Sequence, residues 1–237
     1  MLLTNLTTGT LIRRYKRFMV DVETPQGTIT AHCPNTGSMR GLLDPGNKVF
    51  LSLSDNKKRK YPHTLEVIEL ADKTMVMVNT ARSNRLVEEA LSNGWFKGVN
   101  KEDQLRREVK SSDRSRLDFL VENQGQKTWI EVKNATLQGE DDPNLTQFPD
   151  AVTQRGAKHL AELAELVKQG DKAVILFLLS RSDGQRFSPA AHIDPHYAAE
   201  LQKAVEQGVE ARNLKLDFDL ENDTMKIEAR REVPIIL

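Results

Sequence analysis

Polar and apolar positions alternate with period two through the first third of the chain, the pattern of strands with one buried face. Phe18, Val20 and Val22 alternate with Met19, Asp21 and Glu23; Thr24-Pro25-Gln26-Gly27 reads as a turn, and alternation resumes over residues 28–31. Residues 49–53, 65–70 and 74–78 add three more short strands between Gly-, Asn- and Lys-rich connections. Five short strands within residues 1–80 predict a small barrel, because closure removes exposed edges.

The period then changes. Asn79 and Thr80 cap a predicted helix running to Leu91, with Leu86, Val87, Ala90 and Leu91 on one face and Asn93-Gly94 as its stop. Two strands follow, residues 116–121 and 128–133, joined by Asn123-Gln124-Gly125. Asp150 is the expected cap of a long helix carrying Val152, Leu160, Leu163 and Val167 and ending at Gly170. Residues 173–179 are apolar on both faces, as in a central strand of a covered sheet. Asp194-Pro195 opens another helix that stops at Gly208, and residues 214–220 alternate again. Helices interleaved with strands predict an α/β sandwich. The expected organisation is therefore a barrel over residues 1–80 and an α/β domain over 81–237, with no internal repeat.

Composition narrows the function classes. The longest apolar run, residues 173–179, is far short of the roughly 20 residues a bilayer span needs. The first residues have neither the basic start nor the apolar stretch of a signal peptide, and the lone Cys33 cannot form an internal disulfide, so a cytoplasmic protein with no membrane partner is expected. Net charge is zero, but residues 1–80 hold 11 Lys/Arg and 7 Asp/Glu, leaving 23 basic and 27 acidic residues in the remainder. A basic front on an acidic back points to nucleic-acid contact near the N-terminus.

Candidate chemistry lies in Arg116-Leu117-Asp118-Phe119-Leu120 and Trp129-Ile130-Glu131-Val132-Lys133-Asn134. Leu117, Phe119 and Val121 point one way, so Asp118 points the other; Ile130 and Val132 leave Glu131 and Lys133 together on the opposite face. In a tight hairpin Val121 faces Thr128 and Phe119 faces Ile130, which puts Asp118 directly opposite Glu131. Like charges placed so are unfavourable unless something positive lies between them. A divalent cation such as Mg²⁺ or Mn²⁺ takes one or two carboxylates plus waters and substrate phosphate, and a lysine beside it can orient water or offset charge at phosphorus. Acidic-x-Lys alone is weak, since Asp55-x-Lys57 and Glu108-x-Lys110 also match it. A plain Glu131–Lys133 ion pair explains the third match equally well.

The pattern Leu117-Asp118…Glu131-Val132-Lys133 resembles the PD-(D/E)xK nuclease superfamily, with Leu117 where proline is common. Nearly the whole chain resembles the bacterial sugar fermentation stimulation protein family. That resemblance rests on Arg14-Tyr15-Lys16-Arg17-Phe18, His32-Cys33-Pro34-Asn35-Thr36-Gly37, Lys58-Arg59-Lys60-Tyr61-Pro62-His63-Thr64 and Arg114-Ser115-Arg116-Leu117-Asp118-Phe119. It continues in Ile130-Glu131-Val132-Lys133, Phe148-Pro149-Asp150-Ala151-Val152-Thr153 with Arg155-Gly156, and Arg186-Phe187-Ser188-Pro189-Ala190. It implies a five-stranded oligonucleotide-binding (OB) type barrel followed by a restriction-endonuclease-like α/β/α sandwich with a mixed sheet. It further implies DNA binding with little sequence preference and a link to sugar (maltose) utilisation, whether the site cuts DNA or only holds it. Asp118, Glu131 and Lys133 then match the superfamily triad, with Asp118 and Glu131 as metal ligands. The first helix of that core often supplies another acid, for which Glu89 is the candidate and Glu88 its rival; the helix after the triad offers Arg155, Lys158 or His159.

In the barrel, Arg13, Arg14, Tyr15, Lys16 and Arg17 interleave charge with an aromatic ring, as single-strand-binding surfaces do, and Lys57, Lys58, Arg59 and Lys60 form a purely basic loop. Phe18 reads as core because Val20 and Val22 share its face, leaving Tyr15 to stack; Cys33 reads as packing and His32 as structural.

Overall fold

The computed structural model describes residues 1–112 and 115–237; Arg114 of the quoted motif lies outside the described residues. The chain opens with a short strand β1 (Leu2–Leu3) and then builds a barrel from β2 (Thr7–Tyr15), β3 (Met19–Thr24), β4 (Gly27–His32), β5 (Lys48–Leu53) and β6 (His63–Glu69). These pair in the order β4-β3-β2-β5-β6, and a parallel bridge from His32 to Thr64 closes the circuit. The alternation in β3 does what the sequence demands: Val20 and Val22 point inward and are fully buried, and they meet Leu11, Ala31, Val49, Leu51 and Leu65 in the barrel interior.

Two details differ from expectation. The closed circuit includes β2, whose Thr/Gly-rich sequence lacks strong alternation, whereas residues 74–78 form β7 (Met75–Met77), an added strand on the outer side of β6. Close passage of β2 over β3 needs Gly9: a Cβ there would lie 2.4 Å from Val22 Cγ1 and 2.5 Å from the Glu23 carbonyl oxygen. Secondly, Phe18 is not core. Lys16 and Arg17 adopt positive φ values of 47° and 63°, so the chain reverses before the strand begins, and Phe18 is left 40% exposed and stacked on His32.

A one-turn 3₁₀ helix (Thr80–Arg82), capped by the Asn79 side chain, leads into α1 (Ser83–Ser92). Then come β8 (Gln104–Ser112), β9 (Ser115–Asn123), β10 (Gln126–Ala135), β11 (Leu137–Gln138), β12 (Leu145–Phe148), α2 (Gln154–Lys168), β13 (Lys172–Leu179), β14 (Arg186–Pro189), α3 (Pro195–Glu206), β15 (Glu210–Glu221) and β16 (Thr224–Arg231). The main sheet has the order β1-β16-β15-β13-β10-β9-β8 and is mixed: β10, β13 and β15 run parallel, and the outer pairs are antiparallel. Residues 1–3 thus belong to this sheet and not to the barrel, because Leu2 and Leu3 pair with β16. β11, β12 and β14 form a small separate sheet.

One face of the main sheet packs against α2 and α3 through Leu160, Leu163, Tyr197 and Leu201. The other packs against α1, and there Phe50 and Val67 of the barrel, with Met77 of the added strand β7, enter the same core as Leu86, Val87, Phe119 and Ile130. Alternation explains this sharing: Val49 and Leu51 fill the barrel while Phe50 between them faces out of it.

Two helix starts bear on the site. α3 begins as expected, with Asp194 accepting from the Tyr197 N–H at 2.9 Å and Pro195 in the first turn. α2 begins later than expected, capped by Thr153, whose Oγ1 accepts from the Gly156 N–H at 3.1 Å. Asp150 instead reaches the barrel, where it accepts from the Met39 N–H and the Ser38 hydroxyl, each at 3.0 Å, and Val152 is exposed. No helix among the described residues is long and apolar enough to cross a membrane.

Candidate functional site

β9 and β10 pair as an antiparallel hairpin in the expected register, Val121 with Thr128 and Phe119 with Ile130. Asp118 and Glu131 are the next position along, and there the ladder stops. The Asp118 carboxylate takes over: its Oδ2 accepts from the Val132 N–H at 2.7 Å, and its Oδ1 accepts from Asn84 Nδ2 at 2.7 Å. β10 continues alone against β13, which carries Glu131 and Lys133 along one side of the opening. The two carboxylates share one cleft.

Lys133 Nζ donates to Glu131 Oε1 at 2.5 Å, so the ion pair expected from the strand spacing is present within the site itself. His159, from α2, places Nδ1 against the same oxygen. Its other nitrogen, Nε2, faces Arg155 Nε at 3.4 Å. With Nε2 the acceptor toward Arg155, the ring proton belongs on Nδ1, where it is donated to Glu131; the tautomer is assigned from these partners.

The pair is electrostatically split. Burial, then the charge of Glu131, pushes the Asp118 carboxyl up to about 6 against the pull of the Val132 N–H, Asn84 and Lys133. Burial also pushes Glu131 up, but its hydrogen bond to His159 and the charge of Lys133 outweigh that and hold it below the ordinary glutamate range. Burial and neighbouring charge thus drive the two carboxyls apart, leaving Asp118 the weaker acid of the pair.

On one side the pair opens onto a cleft of 1180 Å³ between the β8–β9 wall and α2. Arg155, Lys158 and His159 line it, so the basic helix face lies where the sequence reading put it. Glu108 and Lys110 line it too, placing the second acidic-x-Lys motif on the cleft wall, in a strand whose polarity hid it. On the other side is a hollow of 220 Å³ bounded by Thr80, Asn84, Lys133 and Asn134.

The two acids expected from α1 are engaged elsewhere. Glu89 binds the Met1 amine at 2.8 Å, and Glu88 pairs with Arg107 at 2.9 Å. What α1 contributes is Asn84, in its first turn. Asn84 shares a helix stripe with Val87 and Leu91, and a polar residue on an apolar stripe was the available signal.

The barrel's basic residues divide by role. Arg13 pairs with Asp21 at 2.9 Å and lies over the Tyr15 ring, whose hydroxyl also donates to Asp21, so Tyr15 is tied down as well. Arg14 spends its guanidinium on the carbonyls of Arg17, Asn35, Gly37 and Ser38, and is a clamp for the turn. Lys16 and Arg17 project from that turn, exposed. In the β5–β6 loop Lys57 and Lys58 are exposed, Arg59 donates to Thr64 Oγ1 at 3.3 Å, and Lys60 lies 5.3 Å from the Tyr61 ring. Arg59 and His32 line one hollow, so this loop and the Phe18–His32 stack occupy one end of the barrel, and burial, then the charge of Arg59, lowers the His32 pKa. Cys33 is fully buried against Met39.

The molecule thus defines a class: an OB-type barrel built onto a mixed-sheet α/β core whose hairpin holds two carboxylates and a lysine in a cleft. Residues 12–78 match the SfsA N-terminal OB domain, and residues 81–222 match the sugar fermentation stimulation protein RE domain. The chain belongs to the sugar fermentation stimulation protein family. It is 51% identical over 207 residues to a sugar fermentation stimulation protein homolog of Desulfotalea psychrophila, covering 87% of this chain and 86% of that one. A homolog of Pelobacter propionicus is 44% identical over 234 residues, 98% of both chains. A solved structure, that of Pyrococcus furiosus SfsA in complex with Ca²⁺, superposes with a TM-score of 0.87 at 24% identity, over 100% of this chain and 98% of that one.

Proposed function

We propose that this protein binds DNA with little sequence preference and hydrolyses phosphodiesters at a divalent-cation site formed by Asp118 and Glu131. The observation that carries the reading is the Asp118–Glu131 pair itself, two carboxylates held in one cleft with their pKa values driven apart. Among the described residues no group of three or more His, Cys, Asp or Glu is arranged to hold a metal. A pair of carboxylates nevertheless suits Mg²⁺ or Mn²⁺, which complete their shell with water and substrate phosphate. The Ca²⁺ named with the Pyrococcus furiosus structure supports a hard cation of this type.

A bound cation would supply positive charge against the phosphate undergoing attack. The chain's own residues do the rest. Asn84 and the Val132 N–H fix the Asp118 carboxylate, and His159 fixes Glu131. Lys133, half-buried beside Glu131, orients water or offsets charge at phosphorus, and Arg155 and Lys158 anchor flanking phosphates. In this reading the family's link to sugar utilisation acts through DNA contact.

A second reading, holding DNA without cutting it, draws support from the Lys133 ammonium resting on Glu131 at 2.5 Å, which already neutralises one ligand. Incubating the protein with supercoiled and single-stranded DNA in Mg²⁺, Mn²⁺ or EDTA separates the two. Cleavage that needs metal and disappears in Lys133→Ala, with binding retained, supports hydrolysis; binding without metal-dependent cleavage supports the second reading.

A further inference from the structure

We infer that the nucleic acid reaching the Asp118–Glu131 pair is a single strand, threaded from the basic turn of the barrel across the seam between the two halves of the molecule. The inference rests on the reading that the pair acts on phosphodiesters, and it adds the path and the strandedness of the substrate.

Four hollows, each sharing lining residues with the next, run in sequence from the barrel to the carboxylates as a segmented trough. At the barrel end a hollow of 520 Å³ is lined by Arg14, Lys16 and Arg17, with no carboxylate, and runs to Thr36 and Gly37. Those two residues also line a neck of 140 Å³ between barrel and α/β core, whose other wall includes Thr80 and Asn134. Thr80 and Asn134 in turn border the 220 Å³ hollow at the carboxylates. Asp118 and Glu131 then open it onto the 1180 Å³ cleft.

The neck decides what can pass. Its walls are fixed from both sides: the Gly37 N–H donates to Asn35 Oδ1 at 2.8 Å, and Asn134 Oδ1 accepts from Ser83 and Ser180 hydroxyls at 3.1 and 2.6 Å. Gly37 itself is pressed onto the core, since a Cβ there would lie 2.6 Å from Asp150 Oδ2. A neck of 140 Å³ has no room for a base-paired duplex, whereas one backbone with its bases turned out can lie along it.

The lining matches that occupant. The neck is lined by neutral hydroxyl and amide side chains (Thr36, Thr80, Asn134, Gln147); Thr80 donates to the Pro34 carbonyl and Gln147 to Ser188, which leaves Thr36 and the Asn134 amide to meet phosphate oxygens. Its one carboxylate, Asp150, is already held by Ser38 and Met39. Next along the chain from Arg17, the exposed Phe18 ring, stacked on His32, offers a base an aromatic face.

Thr36 is exposed and makes no catalytic contact, so it is the place to obstruct the trough. Fluorescence anisotropy in EDTA would follow oligothymidylates from about 4 to about 20 nucleotides, and a duplex of the longest length, on the wild type, Thr36→Trp and Thr36→Lys. Wild-type affinity is expected to climb with length and then level off. Thr36→Trp should weaken the longest single strand about tenfold and flatten its length dependence; Thr36→Lys, adding a cation to the neck, should tighten the same strand. Duplex binding should be unaffected by Thr36→Trp. An unchanged affinity of the longest strand in both variants, or duplex bound more tightly than single strand by the wild type, overturns the path. A cleavage assay on the same proteins keeps the two ideas apart. Absent hydrolysis with Thr36-sensitive binding sinks only the catalytic reading, and equal hydrolysis of duplex by wild type and Thr36→Trp sinks only the path.

Discussion

Asp118 holds its proton more tightly in the folded protein than an aspartate in an open chain does, its pKa pushed up to about 6 from the ordinary aspartate range. A carboxyl raised on folding stabilises the fold when protonated, so this contribution is present at low pH and is lost as pH rises from about 4 to about 6. Asp118→Asn keeps an acceptor for the Val132 N–H and removes the charge. It should therefore raise the melting temperature at pH 8, by the equivalent of up to about 2 kcal/mol, and leave it nearly unchanged at pH 4. Equal shifts at both pH values, read by calorimetry, would refute the electrostatic account. Mg²⁺ or Mn²⁺ should raise the melting temperature of the wild type by mass action and leave Asp118→Asn, Glu131→Gln unmoved. At this scale strand alternation placed Asp118, Glu131 and Lys133 on one side of two apolar strands, and the structure brings all three together. The sequence hid Asn84, a neutral residue on an apolar stripe, and it misdirected toward Glu89, which the Met1 amine claims. Phe18 was misread because two left-handed residues, invisible to alternation, end the pattern one position early.

At the scale of elements, the β9–β10 register was legible because slipping it by one residue would turn Phe119 and Ile130 out of the core. β8 was not: Glu, Arg and Lys dominate it, since it is the edge of the sheet, where charge discourages pairing with other chains. β2 escaped for a different reason. Of its residues only Leu11 is buried, and its geometry depends on Gly9, where the absence of a side chain is the signal. Gly9→Ala should force β2 away from β3 and destabilise the protein by about 1–3 kcal/mol, seen as a lower urea midpoint at unchanged slope. A variant as stable as the wild type would mean that the two strands separate at no cost.

For the whole molecule, charge sits where a neutral net total conceals it. The exposed Lys57, Lys58 and Lys60 flank Arg59, which lines a hollow with His32, and His32 stacks on Phe18, next in the chain to the exposed Lys16 and Arg17. Replacing the four loop residues by glutamine should weaken binding to all DNA sequences alike and flatten the salt dependence, since fewer counterions are then released. Filter binding across a salt series would show it; an unchanged slope removes the loop from the interface.

Phe50 and Val67 look out of the barrel, and Met77 of the added strand β7 joins them, in a core that the rest of the chain completes. A barrel made alone would carry these three side chains as a greasy scar, and the remainder would expose the matching socket. Two sequence modules are therefore one cooperative unit: heat should melt the intact chain in a single transition, and residues 7–78 expressed by themselves should associate or precipitate. Phe50→Ala, costing about 3–5 kcal/mol, should lower that one transition as a whole without splitting it in two. Evolution, on this arrangement, cannot trade the barrel for another without also rewriting the socket.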